Sequence, residues 1–408
     1  MLSSMLILMG GAAVAPSLPL ISDSYPEASE WMISMIITLP SLSVAFSGFI
    51  IGVLADRIGR LPVLVSSLAI FTLAGTSGFY LHSLEAILIG RFILGIGIAG
   101  IATGTTALIT DYYKGMTKTR VLGYQGAAMG VGILVLETSG GLLAGISWRI
   151  SFLIYLIGLF IMAGVLLTMK EPERAQTPVC DINKDKAGSK HSGNPECEFI
   201  PYSTIIMIYM TLFLTMLMFF LMPTKFPYFM SELAATTGLT ESGGIFANAS
   251  LVSGLFLGLM GCASSIIGVI YWRIAAKMHR MSILVLSYFM YGSAFIILGY
   301  SSSLAVAGIA VILAGIGSGL VNPTILNWLT FVTPQHVMGK IMGGFSVALN
   351  LGQFVSALIV VPILAAVGTY GNMFIAYSGL SIFLGVLYLI GYLKMKVAVR
   401  LSSADKCN

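Results

Sequence analysis

Two ionisable residues stand in long apolar stretches, far from other charges. Glu137 lies in "GVGILVLETSGGLLAG", residues 130–145, and no other charged residue occurs between Arg120 and Arg149. Arg91 opens "RFILGIGIAG", residues 91–100. A carboxyl group in apolar surroundings must be neutral, paired or open to a water-filled cavity. Burial and a nearby cation change its proton affinity in opposite directions. A carboxyl poised between the two can bind a proton on one side of a membrane and release it on the other, at ~2.3 kcal/mol per charge per 100 mV. The bland alternative for Glu137 is a structural carboxyl, hydrogen-bonded across a helix contact. For Arg91 it is a side chain that snorkels to the surface. A pair between the two is expected, with Arg91 the one cation inside the apolar segments. A second group gathers at segment ends: Asp56, Arg57 and Arg60 in "GVLADRIGR", residues 52–60, with Asp111 and Arg120 further on. These charges can form ion pairs that make and break as a gate, while Gly52 and Gly59 let helix ends approach. The alternative is that Arg57 and Arg60 only anchor topology.

The elements that hold these residues follow from composition. Charged residues make up 9% of the 408-residue chain and hydrophobic ones 57%, with mean hydropathy +0.96. A soluble domain carries roughly 25% charged residues. Apolar stretches of about 20 residues recur, each long enough to cross a bilayer as a helix. An all-α membrane protein is expected, with about twelve spans near 3–21, 32–54, 62–81, 86–110, 121–146, 150–169, 203–224, 246–271, 282–301, 304–330, 341–367 and 371–393. A polar insert splits them six and six. The expected units are 1–169, a linker at 170–202, 203–395, and a tail at 396–408. "AVAP" at 13–16 has the small-residue look of a cleavage site, but no basic residue precedes it and proline follows the cut. It is read as part of a retained first span.

Charge placement orients the chain. With the amino terminus in the cytoplasm, 18 of the 21 basic residues lie in inside regions; only Arg91, Arg149 and Lys225 fall on the outer side. This bias places both termini in the cytoplasm. The net charge of +5 is therefore topological and not a nucleic-acid footprint. Cys180, Cys197, Cys262 and Cys407 fit no metal spacing, and no metal or cofactor is expected.

The two halves repeat. "GVLADRIGR" aligns with "GVIYWRIAA", residues 268–276, and "LGIGIAG", 94–100, with "AGIGSGL", 314–320. Gly123 and Gly132 correspond to Gly343 and Gly352, which sets Glu137 opposite Ala357. Same-orientation repeats of six spans are a build of secondary transporters. The fifth span carries a small-residue face with Gly130, Gly140 and Gly141. The eighth carries one with Gly254 and Gly258. Such faces let membrane helices pack closely, so these spans are expected to meet across the interface between the halves.

"GVLADRIGRLPVL", residues 52–64, resembles the loop signature of the major facilitator superfamily and lies between spans two and three, as in that family. "MGGAAVAPSLP", 9–19, "RFILGIGIAG" and "ITDYY…TKTRVLGY", 109–124, resemble motifs of its twelve-span drug:proton antiporters. The fifth-span motif departs: Gly140 and Gly141 stand, but Leu136 and Glu137 replace a Gly-Pro pair. Met338 and Lys340 depart from the corresponding second-half loop. The resemblance implies the major-facilitator fold, no enzymatic activity, a monomer in the plasma (inner) membrane, and proton-coupled efflux of hydrophobic or cationic small molecules by alternating access. Transport of a specific metabolite, such as a sugar, amino acid or metallophore, is the alternative. A substrate cavity lined by spans one, four, seven and ten is implied, with Thr106, Tyr209, Asn322, Asn327 and Trp328 as candidates.

Overall fold

Proline and glycine decide where the helices begin and break. A computed structural model describes residues 2–113, 115–169, 201–236, 248–334 and 337–404. The expected linker falls on residues 170–200, and the end of the expected tail on 405–408, outside the described residues. Ten helices among the described residues are long and apolar enough to cross a membrane. The two other expected spans are special. The first, Leu2–Ser24, is broken into short helices with 3-10 turns at Leu6–Leu8 and Ala15–Ser17. Pro16 and Pro19 supply no N–H and stand in the first turns of the short helices Ala15–Ser17 and Leu18–Ser24, whereas Pro40, Pro227, Pro323 and Pro362 are carried inside longer helices. The fifth runs Gly115–Ala144, and its apolar part is Val131–Ala144.

The remaining spans are Glu30–Ile58, Arg60–Gly75, Leu84–Tyr112, Ile150–Thr168, Tyr202–Thr236, Ala249–Ala275, Arg280–Gly299, Leu304–Val332, Met338–Val367 and Tyr370–Ala404. The last continues through the start of the expected tail. The seventh is interrupted only at Phe220, after which Leu221–Thr236 resumes with Pro223 in its first turn. Spans two and three meet at Gly59, whose φ of 121° only glycine adopts without strain. Ser83, Asn248, His279 and Ser303 start their helices by accepting backbone N–H bonds.

The sequence repeat is also a contact repeat. Gly97 of span four packs on Ser67 and Phe71 of span three; Gly317 of span ten packs on Ser287 and Tyr291 of span nine. Gly132 of span five meets Met5 of span one; Gly352 of span eleven meets Phe213 of span seven. Between the halves, spans five and eight meet backbone to backbone. A Cβ on Gly141 would lie 2.5 Å from Ser250 O, one on Gly258 would lie 3.1 Å from Leu134 O, and one on Gly254 would strike Glu137 O. Gly140 differs from expectation: it faces Ala13 of span one. For Gly130 only the helical backbone is described.

These contacts occupy one side of the molecule, the side bearing Asp23. On the opposite side, bearing Arg57, a Cβ at Gly48, Gly52, Gly268 or Gly343 would have no atom within 4 Å. The halves are joined on the Asp23 side and splayed on the Arg57 side. The expected close approach at Gly52 is thus absent in this state. Filling the contact should act selectively. We predict that Gly254→Leu costs about 1–3 kcal/mol of stability in this conformation and abolishes transport. Gly268→Leu, with room around it in this conformation, should leave stability near wild type, as read by melting in detergent, while substrate flux in vesicles reads the loss of transport in Gly254→Leu.

Candidate functional site

Arg91 occupies a built pocket. The sixth span opens with a 3-10 helix, Ile150–Leu156. That geometry eclipses residues three apart, so Phe152 and Tyr155 present one aromatic face. Gly78 and Gly75 of span three make room for these two rings. The Arg91 guanidinium lies 4.5 Å from the Phe152 ring centroid and 5.0 Å from that of Tyr155. Its Nη1 donates to Tyr155 Oη at 2.8 Å and to Gly10 O at 3.5 Å, while Tyr155 Oη donates to Gly10 O at 3.1 Å. Arg91 is completely buried, so the snorkelling alternative is overturned. Its Nε and Nη2 have no hydrogen-bond partner among the described residues.

Glu137 is buried at 6% exposure, and its Oε2 has no partner. The structural reading required a hydrogen bond across the helix contact, and none is made by this oxygen. The expected pair with Arg91 is not formed. The two are nevertheless level in depth. Span five runs parallel to span one, with Gly132 beside Met5 and Gly140 beside Ala13. That register sets Glu137 opposite Gly10, whose carbonyl Arg91 grips.

Sequence reasoning missed a second buried cation. Lys225, taken as an outer-side residue, is fully buried inside the seventh span and pairs with Glu30 of span two at 2.7 Å. Tyr228 carries the ammonium 5.1 Å from its ring, stacks on Tyr370, and donates to Leu18 O at 3.3 Å. Ser41 of span two donates to Gln353 of span eleven at 2.6 Å. Lys225–Glu30 therefore clasps the halves on the Asp23 side. The signal was present in "MPTKFP": a lysine between two prolines in an apolar run.

On the Arg57 side, Arg60 pairs with Asp111 and donates to Ala107 O at 3.0 Å. The pair ties spans three and four within one half and does not bridge the halves. Asp56 and Arg57 are exposed at the end of span two. The Arg120 side chain lies outside the described residues. The cavity candidates are distributed over spans four, seven and ten. Asn327 and Trp328 line a pocket of about 240 Å³ with His279 and Arg280. Tyr209 donates to Ile341 O at 2.6 Å, Thr106 accepts from Gln125 at 3.4 Å, and Asn322 Oδ1 is buried without a partner. A larger cavity, about 870 Å³, opens on the Asp23 side, lined by Asp23, Trp148, Tyr228 and Asn248.

Two repeats of apolar helices, close glycine contacts between them and splaying on one side define a multi-pass membrane transporter. The sequence profile of the Major Facilitator Superfamily matches residues 1–357, and the chain belongs to that family. It is a transporter of small molecules and not an enzyme. It is 23% identical over 349 residues to the multi-drug resistance efflux pump PmrA of Streptococcus pneumoniae, covering 85% of this chain and 83% of that one. It is 24% identical over 346 residues to the class B tetracycline resistance protein of Escherichia coli, covering 82% and 80%. The match to the inner membrane transport protein YajR of Escherichia coli is 26% over 185 residues, 45% of this chain and 40% of that one. The inward open structure of the xylose transporter XylE superposes with TM-score 0.68 at 15% identity, over 95% of this chain and 94% of that one.

The Lys225–Glu30 clasp predicts an asymmetry. Glu30→Gln strands a buried ammonium, whereas Lys225→Met removes the charge altogether. Glu30→Gln should destabilise the protein more, by about 2 kcal/mol, less than the roughly 3–5 kcal/mol for a fully buried pair because Glu30 is partly wet. Melting curves of the two variants check it.

Proposed function

We propose that this chain is a proton-coupled efflux transporter of hydrophobic or cationic small molecules. It works as a monomer in the plasma (inner) membrane, with both termini in the cytoplasm. Six-helix bundles at 1–169 and 203–395 rock about the contact of spans five and eight, joined by the linker 170–202 and followed by the tail 396–408. Placing 18 of the 21 basic residues inside supports this topology. The Arg57 side is then cytoplasmic, and the conformation described is inward-facing. The Lys225–Glu30 pair acts as the outer clasp. Closing the inner side would bring Gly52 and Gly343 into the contacts they lack here, next to Asp56, Arg57, Gly59 and Arg60.

Near full-length similarity to two resistance proteins supports efflux. The Asp23-side cavity combines a carboxylate with the Trp148 and Tyr228 rings, chemistry suited to lipophilic cations. The observation that carries the coupling is Glu137, buried with a bare oxygen and level with a buried arginine that has two bare nitrogens. A proton on Glu137 lets Arg91 keep Tyr155 and Gly10. Loss of the proton leaves a carboxylate whose charge Arg91 Nε and Nη2 can answer. The exchange biases the first span, whose Gly10 carbonyl Arg91 holds.

The test uses cells and vesicles expressing the protein. A lipophilic cationic dye should accumulate less in expressing cells, and a protonophore should abolish the difference; greater accumulation would indicate uptake instead. In vesicles, Glu137→Gln should retain substrate binding and exchange but lose the pH dependence of transport. Wild-type pH dependence in that variant would sink the coupling role.

A further inference from the structure

The two halves differ in how their charges are balanced. Residues 1–169 carry seven acids and seven Lys or Arg residues. The second half has Glu232 and Glu241 as its acids, and residues 242–404 beyond them contain no Asp or Glu, yet hold Arg273, Lys277, Arg280, Lys340, Lys394, Lys396 and Arg400. Where the first repeat has Asp56, the second has Trp272. Arg60 finds Asp111 in the first half. No carboxylate exists in the 242–404 stretch to do the same.

The structure places part of this excess around a pocket. Between the ends of spans eight, nine and ten lies a cavity of about 240 Å³, lined by Tyr271, His279, Arg280, Asn327, Trp328 and Phe331. The Arg280 guanidinium sits 4.2 Å from the Phe331 ring centroid, and Phe331 is 74% exposed. Trp272, 65% exposed, carries Arg273 at 5.2 Å from its ring. Exposed aromatic rings paired with cations mark the level of the lipid headgroups. His279 Nδ1 accepts from Met281 N, which leaves Nε2 as the ring's outward nitrogen. Burial, and after it the Arg280 charge, lower the His279 pKa. Asn327 adds an amide donor. The pocket thus offers several donors and no carboxylate, at membrane-surface depth and with room for a phosphate group.

We propose that this pocket binds the phosphate of an anionic phospholipid headgroup, with Arg280 as its principal contact and Asn327 and His279 beside it. The lipid supplies the counter-charge that Asp111 provides to Arg60 in the other half. It bridges spans eight, nine and ten at the end that moves when the halves rock.

The experiment uses the full chain, extracted from bilayers containing equal amounts of phosphatidylglycerol and phosphatidylcholine, with retained lipid counted by native mass spectrometry. Phosphatidylglycerol should be retained about fivefold over phosphatidylcholine, the effect of about one basic group near an anionic surface. Arg280→Gln should remove that preference. Lys340→Gln, the same charge loss outside the pocket, should keep it. Equal retention of the two lipids by the wild type, which needs no variant, overturns the proposal. So does an unchanged preference in Arg280→Gln. Inorganic phosphate that raises the melting temperature of delipidated protein as much as phosphatidylglycerol would identify a free-anion site and overturn the lipid assignment.

Discussion

The structure turns on one requirement: a guanidinium buried in a low-dielectric interior must be surrounded by groups that tolerate its charge. Arg91 is always charged and has no exposed surface. Every feature around it serves that need. A 3-10 start to the sixth span aligns Phe152 and Tyr155, two glycines of span three receive the rings, and the irregular first span offers a carbonyl at Gly10. A continuous first helix would commit its carbonyls to its own ladder. At Gly10 the ladder is opened by a tighter turn, in which Val14 N donates to Gly11 O, and this irregularity belongs to the same solution as the arginine. Enclosure is still incomplete, because two nitrogens lack partners. That residue of unsatisfied charge makes a carboxyl at the same depth consequential.

The ionic contacts divide into two kinds. Arg60–Asp111 joins neighbouring spans of one half and can persist through a rocking motion. Lys225–Glu30 joins opposite halves and must break when the Asp23 side opens. The glycine contacts divide in the same way. Those of Gly97 and Gly317 hold each half together, while Gly141, Gly254 and Gly258 hold the halves to each other. Rigid halves with a dry, close and mostly apolar seam suit a rigid-body transition. Lys225 raises the threshold: its ammonium leaves Glu30 only if water or another acceptor replaces the carboxylate.

Much of this was legible beforehand because bilayer physics leaves few options. Span number, the six-and-six division, the repeat and the meeting of spans five and eight follow from apolar length and from small residues at helical spacing. What stayed hidden depended on orientation within a helix. Gly140 and Gly141 are adjacent in sequence, yet one meets span one and the other span eight. Lys225 was read only as an outer-side cation, one residue beyond a seventh span expected at 203–224. The helix instead resumes after Phe220 and carries the lysine inward. The cavity candidates were chosen by type and by span, and their side-chain orientation was hidden: Tyr209 donates across to Ile341 O, Thr106 accepts from Gln125, and Asn322 Oδ1 is buried.

The repeat gives a way to separate architecture from function. Ser83 and Ser303, Gly97 and Gly317, and Gly132 and Gly352 all stand 220 positions apart and make equivalent caps or contacts. At the same offset, Arg91 corresponds to Val311 and Glu137 to Ala357, and both counterparts are fully buried. The fold is therefore satisfied by apolar side chains at both positions. In the first half it carries instead a cation and a carboxyl, each incompletely partnered, at a cost of about 2.5–3.5 kcal/mol for a charge at the centre of a membrane helix. A cost that the architecture does not require is best explained by work done during the transport cycle. Of the two residues that depart from the repeat, Arg91 donates to Gly10 O, and the register of spans one and five sets Glu137 at the same depth.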